Sequence, residues 1–214
     1  MISHRKIRWK NRLLARFPIL RRMGDTVRLL EAARGWQREG WTAPPPYFVR
    51  RAMLLAEARA CGAQCFVETG TFLGDTSWAL AKEFRQVFTI EVEPSLAALA
   101  RERFRRMPGV TVVEGDSALL LPELCRSLDG ACLFYLDGHY SGGITGMGAE
   151  ECPILAELRA IFDHVAHPFR IVIDDARLFG ASPAYPTLER IDAFLRERAP
   201  ERRMRVENDA IVIF

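Results

Sequence analysis

The sequence predicts an α/β fold, a seven-stranded and mostly parallel sheet with helices on both faces and an antiparallel last strand. Three observations carry this. Short apolar runs rich in β-branched and aromatic residues alternate five times with helical patterns between residues 64 and 198. The first run leads through a glycine-bearing turn, FVETGTFLGDTS at 66–77, into a helix. The stretch 203–214 breaks the alternation, because its two β-prone runs meet at Asn208-Asp209 and read as a hairpin.

Each element has its own signal. GWQREGWTAPPPY at 35–47 is a connector stiffened by three prolines, which divides a segment 1–46 from a domain 47–214. FVRRAMLLAEARACG reads as a helix stopped near Gly62. QCFVE (64–68) is a strand and TSWALAKEFR (76–85) a helix; QVFTIEV (86–92) is a strand, and Pro94 opens the helix that follows it. VTVVEG is the third strand, followed by the helical ALLLPELCRSL. ACLFYLDG (131–138) and FRIVIDD (169–175) are strands, with helices at 151–165 and 187–198. Consecutive strands joined by helices lie parallel, with both sheet faces covered.

At 214 residues the chain supports one sizeable core. With 49% hydrophobic and 27% charged residues, it excludes the disordered and collagen-like classes. Without an apolar run long enough to span a bilayer, and with five cysteines that form no CxxC pair, a cytoplasmic protein with reduced thiols is expected. The net charge of +3 conceals a basic head: residues 1–28 hold nine Lys or Arg against the single acid Asp25. Trp9, Leu13, Phe17 and Leu20 fall at helical spacing, so the head reads as a docked surface helix, a peripheral contact with an anionic membrane or a homodimer contact. No nucleic-acid motif accompanies the charge.

Ligands of open α/β sheets bind beyond the carboxyl ends of the strands. Those ends are acidic here: Glu68, Glu91, Asp116, Asp137, Asp174 and Asp175. Gly70 and Gly74 let the first turn bend sharply and approach a ligand. Glu91 sits where a carboxylate accepts hydrogen bonds from ribose hydroxyls, and Asp116 with Ser117 where an adenine edge is held. A carboxylate at Glu68 repels a pyrophosphate but suits a cationic cofactor. Three acids at neighbouring strand ends, Asp137, Asp174 and Asp175, suit a hard divalent cation such as Mg²⁺.

ETGTFLGDTS, IEVEP, EGDS and the closing hairpin resemble the class I S-adenosylmethionine-dependent methyltransferases, over about residues 64–214. The E-x-G-x-x-x-G turn is most similar to that of the catechol-type, metal-dependent O-methyltransferases. The resemblance implies S-adenosylmethionine as cofactor, with Glu68 and Gly70 at its methionine end and Thr71, Gly74 and Thr76 completing the turn. It implies Glu91 on the ribose and Asp116 with Ser117 on the adenine, with Asp137 beside the cofactor. An acid after strand four and an acidic pair after strand five imply Mg²⁺ on Asp137, Asp174 and Asp175, assisting methyl transfer to a hydroxyl of a small molecule or glycan. The family's lysine base is missing after Asp137, where Gly138-His139-Tyr140 stands. His139, with Asp137, is then the candidate base. The glycine-rich loop up to 150 reads as a lid. A hydroxylase-like enzyme on the same layout and a non-catalytic cofactor-binding protein remain alternatives.

Overall fold

A computed structural model describes residues 31, 32, 34–38, 44–138 and 152–214. The contacts divide the chain into two units, 1–48 and 49–214. In the first, residues 34–38 are helical. The basic head 1–28, His139, Tyr140 and the glycine-rich loop lie outside the described residues.

The elements run α1 (Tyr47–Cys61), β1 (Cys65–Thr69), α2 (Asp75–Leu80), β2 (Gln86–Glu91), α3 (Pro94–Phe104), β3 (Val110–Glu114) and α4 (Ser117–Ser127). They continue with β4 (Cys132–Leu136), α5 (Ile154–His164), β5 (Phe169–Ile173), a 3-10 turn (Ala176–Leu178), α6 (Leu188–Arg198), β6 (Met204–Glu207) and β7 (Ala210–Ile213). The sheet has seven strands in the order β3-β2-β1-β4-β5-β7-β6, and β7 is antiparallel to both its neighbours. The strand order reverses beside β1, where the chain builds outward to β3 and then returns to β4. That reversal opens the crevice over the strand ends.

Strand periodicity assigns each side chain to a face. Cys65, Val67, Phe134, Leu136, Ile171, Ile173, Ile211 and Ile213 pack on one side with Leu121, Leu158 and Ile191 from α4, α5 and α6. Phe66, Leu133, Tyr135, Val172 and Val212 face the other way, onto Met53, Leu54 and Leu55 of α1 and Leu80 of α2. The central strands are buried on both faces, which is why they read as unbroken apolar runs. All five cysteines are free thiols, four of them buried.

Two helices differ from expectation. The helix expected at 76–85 ends at Leu80, because the chain turns at once to align β2: Glu83 N–H bonds the Leu80 carbonyl and Arg85 N–H reaches the Gln64 carbonyl. The helix expected from 151 begins at Ile154, directly after Pro153. The hairpin follows its sequence signal. Asn208 and Asp209 both take positive φ, 50° and 60°, the geometry of a type I′ turn.

Candidate functional site

The crevice is an open cleft lined by Gly70, Ile90, Glu91, Val92, Gly115, Ser117 and Gly138. The ends of β1, β2, β3 and β4 and the start of α4 contribute these residues, so successive crossovers converge on one site.

Gly70 makes the convergence possible. It has φ 81°, and a Cβ there would lie 2.3 Å from the Asp137 carbonyl oxygen. No side chain fits that approach, so the first turn lies directly against the chain leaving β4. Glu91 then fastens the turn to β2. Its Oε2 accepts the Phe72 N–H at 2.7 Å and its Oε1 the Glu93 N–H at 3.0 Å. Phe72 is held at a positive φ of 48°, strained for an aromatic residue, and the Glu91 bond compensates. Each Glu91 oxygen keeps acceptor capacity toward the cleft.

Glu68 is not on the cleft wall. It lies buried beneath the turn, where its Oε2 accepts Ser77 Oγ–H at 2.6 Å and Thr89 Oγ1–H at 2.7 Å. The parallel register pairs Glu68 with Thr89, which fixes the second bond. Thr89 spends its single proton on Glu68, so Thr71, 2.6 Å away, donates to Thr89. Burial pushes the Glu68 carboxyl up to about 7, although Ser77, Thr89 and Thr76 hydrogen bonds act the other way. Thr71 and Thr76 thus belong to the support under the turn. Gly74, at φ 75°, precedes α2 and lets it close on α3: a Cβ there would meet the Phe104 ring at 2.9 Å. Asp116 caps α4, its Oδ1 accepting the Ala118 N–H at 2.9 Å, and Ser117 enters the cleft.

Two residues of this floor are not apparent from sequence. Ser117 Oγ donates to Glu157 Oε1 at 2.5 Å, and Glu157 is fully buried on α5. Thr69 Oγ1, also buried, has no hydrogen-bond partner among the described residues, and a Cβ on Gly138 would sit 3.0 Å from it. A cradle closed to side chains, a carboxylate with spare lone pairs and an orphan hydroxyl fit a cofactor bearing a ribose diol.

The second cluster differs from the expected metal site. Asp174 Oδ2 pairs with Arg50 Nη2 at 2.9 Å and accepts the Tyr135 hydroxyl at 2.6 Å. The same hydroxyl is 3.3 Å from Asp137 Oδ2. Asp175 takes the left-handed conformation, φ 56°, and its Oδ1 pairs with Arg177 at 2.7 Å; Arg177 also bonds Asp209 of the terminal hairpin. Among the described residues no three His, Cys, Asp or Glu side chains are placed to hold one metal ion. Mg²⁺ on Asp137, Asp174 and Asp175 is thus not supported among the described residues. Two of the three acids are already engaged by cations of the chain, Asp174 by Arg50 and Asp175 by Arg177, which leaves a poor fit for a divalent cation. Burial and Asp174 push the Asp137 carboxyl well above the usual range, with Arg50 opposing. Burial likewise raises Asp174 despite Arg50 and Tyr135, and raises the Tyr135 phenol with help from Asp137 and Asp174. Burial works against the Arg50 charge, but Tyr135 and the acids outweigh it and its pKa rises.

Arg50 was invisible to motif reasoning, but a signal existed. The first turn of α1 carries Arg50 and no acid, the reverse of what the helix dipole favours. Cations there need carboxylate partners, and the strand ends supply one.

No family model matches the chain. Among solved structures it superposes on the O-methyltransferase TomG from Streptomyces achromogenes, in complex with S-adenosylmethionine, with TM-score 0.57 and 21% identity over 86% of this chain and 87% of that one. An O-methyltransferase from Bacillus cereus, in complex with S-adenosylhomocysteine, gives TM-score 0.56 and 16% identity over 86% and 88%. The fold is that of the class I S-adenosylmethionine-dependent methyltransferases. The S-adenosylhomocysteine-bound methyltransferase PaMTH1 of Podospora anserina shares it, with TM-score 0.56 and 18% identity over 85% and 86% of the chains. A curated relative, the protein-L-isoaspartate O-methyltransferase of Magnetococcus marinus, is 44% identical over 89 residues, 40% of this chain. The matched stretch is 37% of that protein's length. Within the methyltransferase fold no helix among the described residues is long and apolar enough to cross a membrane.

Proposed function

We propose that the chain transfers a methyl group from S-adenosylmethionine to an oxygen atom of a small-molecule or glycan acceptor. The observation that carries this reading is the cleft at the strand-order reversal, with Glu91 on its wall and Gly70 closing onto the Asp137 carbonyl. Glu91 receives the ribose hydroxyls, Ser117 marks the adenine side, and the Gly70 turn and Gly138 flank the methionine side. Both the fold and the methyltransferase names of its relatives support the choice of cofactor.

S-adenosylmethionine supplies an activated methyl group, whose carbon–sulfur bond breaks as the acceptor oxygen forms its new bond to carbon. The chain's own contribution is placement, since in-line alignment of oxygen and methyl lowers the barrier most. Gly138 lines the β4 end of the cleft, and Asp137 beside it orients the acceptor in this reading. His139, two residues past Asp137, takes the proton of an acceptor hydroxyl in this proposal.

A radiolabelled methyl screen over sugars, phenols, lipids and carboxylic acids tests the reaction. Label is expected on an oxygen of at least one class, with His139→Ala slowing transfer to hydroxyls about 100-fold. Iron- and oxygen-dependent turnover without methylation would contradict the proposal in favour of a hydroxylase-like reaction. Cofactor binding with no transfer to any class would favour a binding protein.

A further inference from the structure

The acidic strand ends carry a cation of the chain's own. Arg50 lies on the first turn of α1, where the backbone dipole disfavours positive charge, yet its side chain is only 19% exposed. It meets Asp174, which is 3% exposed, at 2.9 Å. The face assignment explains how it gets there: Tyr135 points to the α1 side of the sheet, and its hydroxyl joins Asp174 from below while Arg50 joins from α1. Asp175, the other half of the acidic pair, is engaged by Arg177, which also holds Asp209.

We infer that the Arg50 guanidinium fills the position a divalent cation takes in the metal-dependent enzymes the sequence resembles, and that it meets the acceptor oxygen there without a metal ion. The inference rests on the methyltransferase reading for the identity of the acceptor, but not for the exclusion of metal. A divalent ion on Asp174 would lie within a few ångströms of a fixed guanidinium and compete with both donors to Oδ2. Magnesium holds near-ideal octahedral geometry and shares a carboxylate poorly on such terms. The guanidinium, by contrast, has five N–H donors, and the Asp174 contact is made through Nη2. Its Nε–H is buried with no acceptor among the described residues, so the protein itself does not saturate the fork. An acceptor oxygen that carries or develops negative charge is the ligand such a fork favours. Arg50 is a positioning residue in the free protein and a contact to the acceptor in the complex.

Manganese binding to the full-length protein, followed by loss of the free Mn²⁺ paramagnetic resonance signal, tests this directly. Cofactor binding is measured by calorimetry on the same samples. The wild type should leave Mn²⁺ free at concentrations up to about 1 mM. Arg50→Gln, which keeps an amide donor for Asp174 but no charge, should gain Mn²⁺ affinity by about tenfold or more, and Asp174→Asn on that background should abolish the gain. Arg50→Lys should stay metal-free, because it keeps the charge, yet raise the acceptor KM more than it lowers kcat, because it lacks the fork. Asp174-dependent Mn²⁺ binding by the wild type, or equal Mn²⁺ affinity in the Gln and Lys variants, would overturn the inference. S-adenosylmethionine failing to bind would instead remove the methyltransferase reading, leaving the manganese result to stand or fall alone.

Discussion

At the scale of single residues, the site depends on a few groups whose roles are set by what lies beneath them. Glu68 shows this best. From sequence it is a carboxylate in a glycine turn, suited to a cationic cofactor. In the fold it is a buried acceptor for Ser77 and Thr89 and holds the turn from below. Its position at the end of β1 was legible; its direction was not, because that follows from the β1–β2 register that sets it beside Thr89. Burial raises its folded pKa to about 7, above the ordinary 4.5. The folded chain therefore holds this proton more tightly than the unfolded chain. The resulting stabilisation is complete below about pH 4.5 and is lost as pH rises through about 7, a change on the order of 3 kcal/mol. Urea denaturation from pH 5 to pH 8 should show that decline in the wild type and a clearly flatter profile in Glu68→Gln. Parallel profiles would count against a buried, protonated Glu68.

At the scale of elements, termini decide more than interiors. Asp116 and Thr187 cap α4 and α6 through side-chain oxygens, and Glu93 does the same for α3 ahead of Pro94. Asp116 was read from sequence as an adenine contact, and the structure adds the cap. Asp116→Ala removes the bond to the Ala118 N–H and should cost about 1 kcal/mol in denaturant unfolding. If Asp116 also holds adenine, the same variant weakens cofactor binding, whereas Asp116→Ser keeps the cap and isolates the ligand effect. The start of α1 is the opposite case, a helix end that violates the dipole preference. Arg50 and Asp174 stand 124 positions apart in sequence and are brought together only by the packing of α1 on the β4–β5 face. No spacing rule reaches that far, so the acidic triad was visible and its counterion was not. The Asn208-Asp209 turn was legible because its signal is local.

At the scale of the whole molecule, five strand–helix alternations and a terminal hairpin led to the seven-stranded sheet, since each crossover repeats one local rule. The reversal of strand order then gathers residues from the ends of β1, β2, β3 and β4 and from α4 into one cleft, and its wall carries Glu91 and Ser117. What the order of motifs conceals is charge compensation, and there the expected metal site becomes an arginine-paired one. The central claim is that this cleft holds S-adenosylmethionine through Glu91. Titration calorimetry of the cofactor into the full-length protein tests it most directly. One-to-one binding with a Kd of about 1–100 µM is predicted, weakened about tenfold or more in Glu91→Ala while cooperative unfolding persists. No binding by the wild type, or an affinity unchanged in Glu91→Ala, would contradict it.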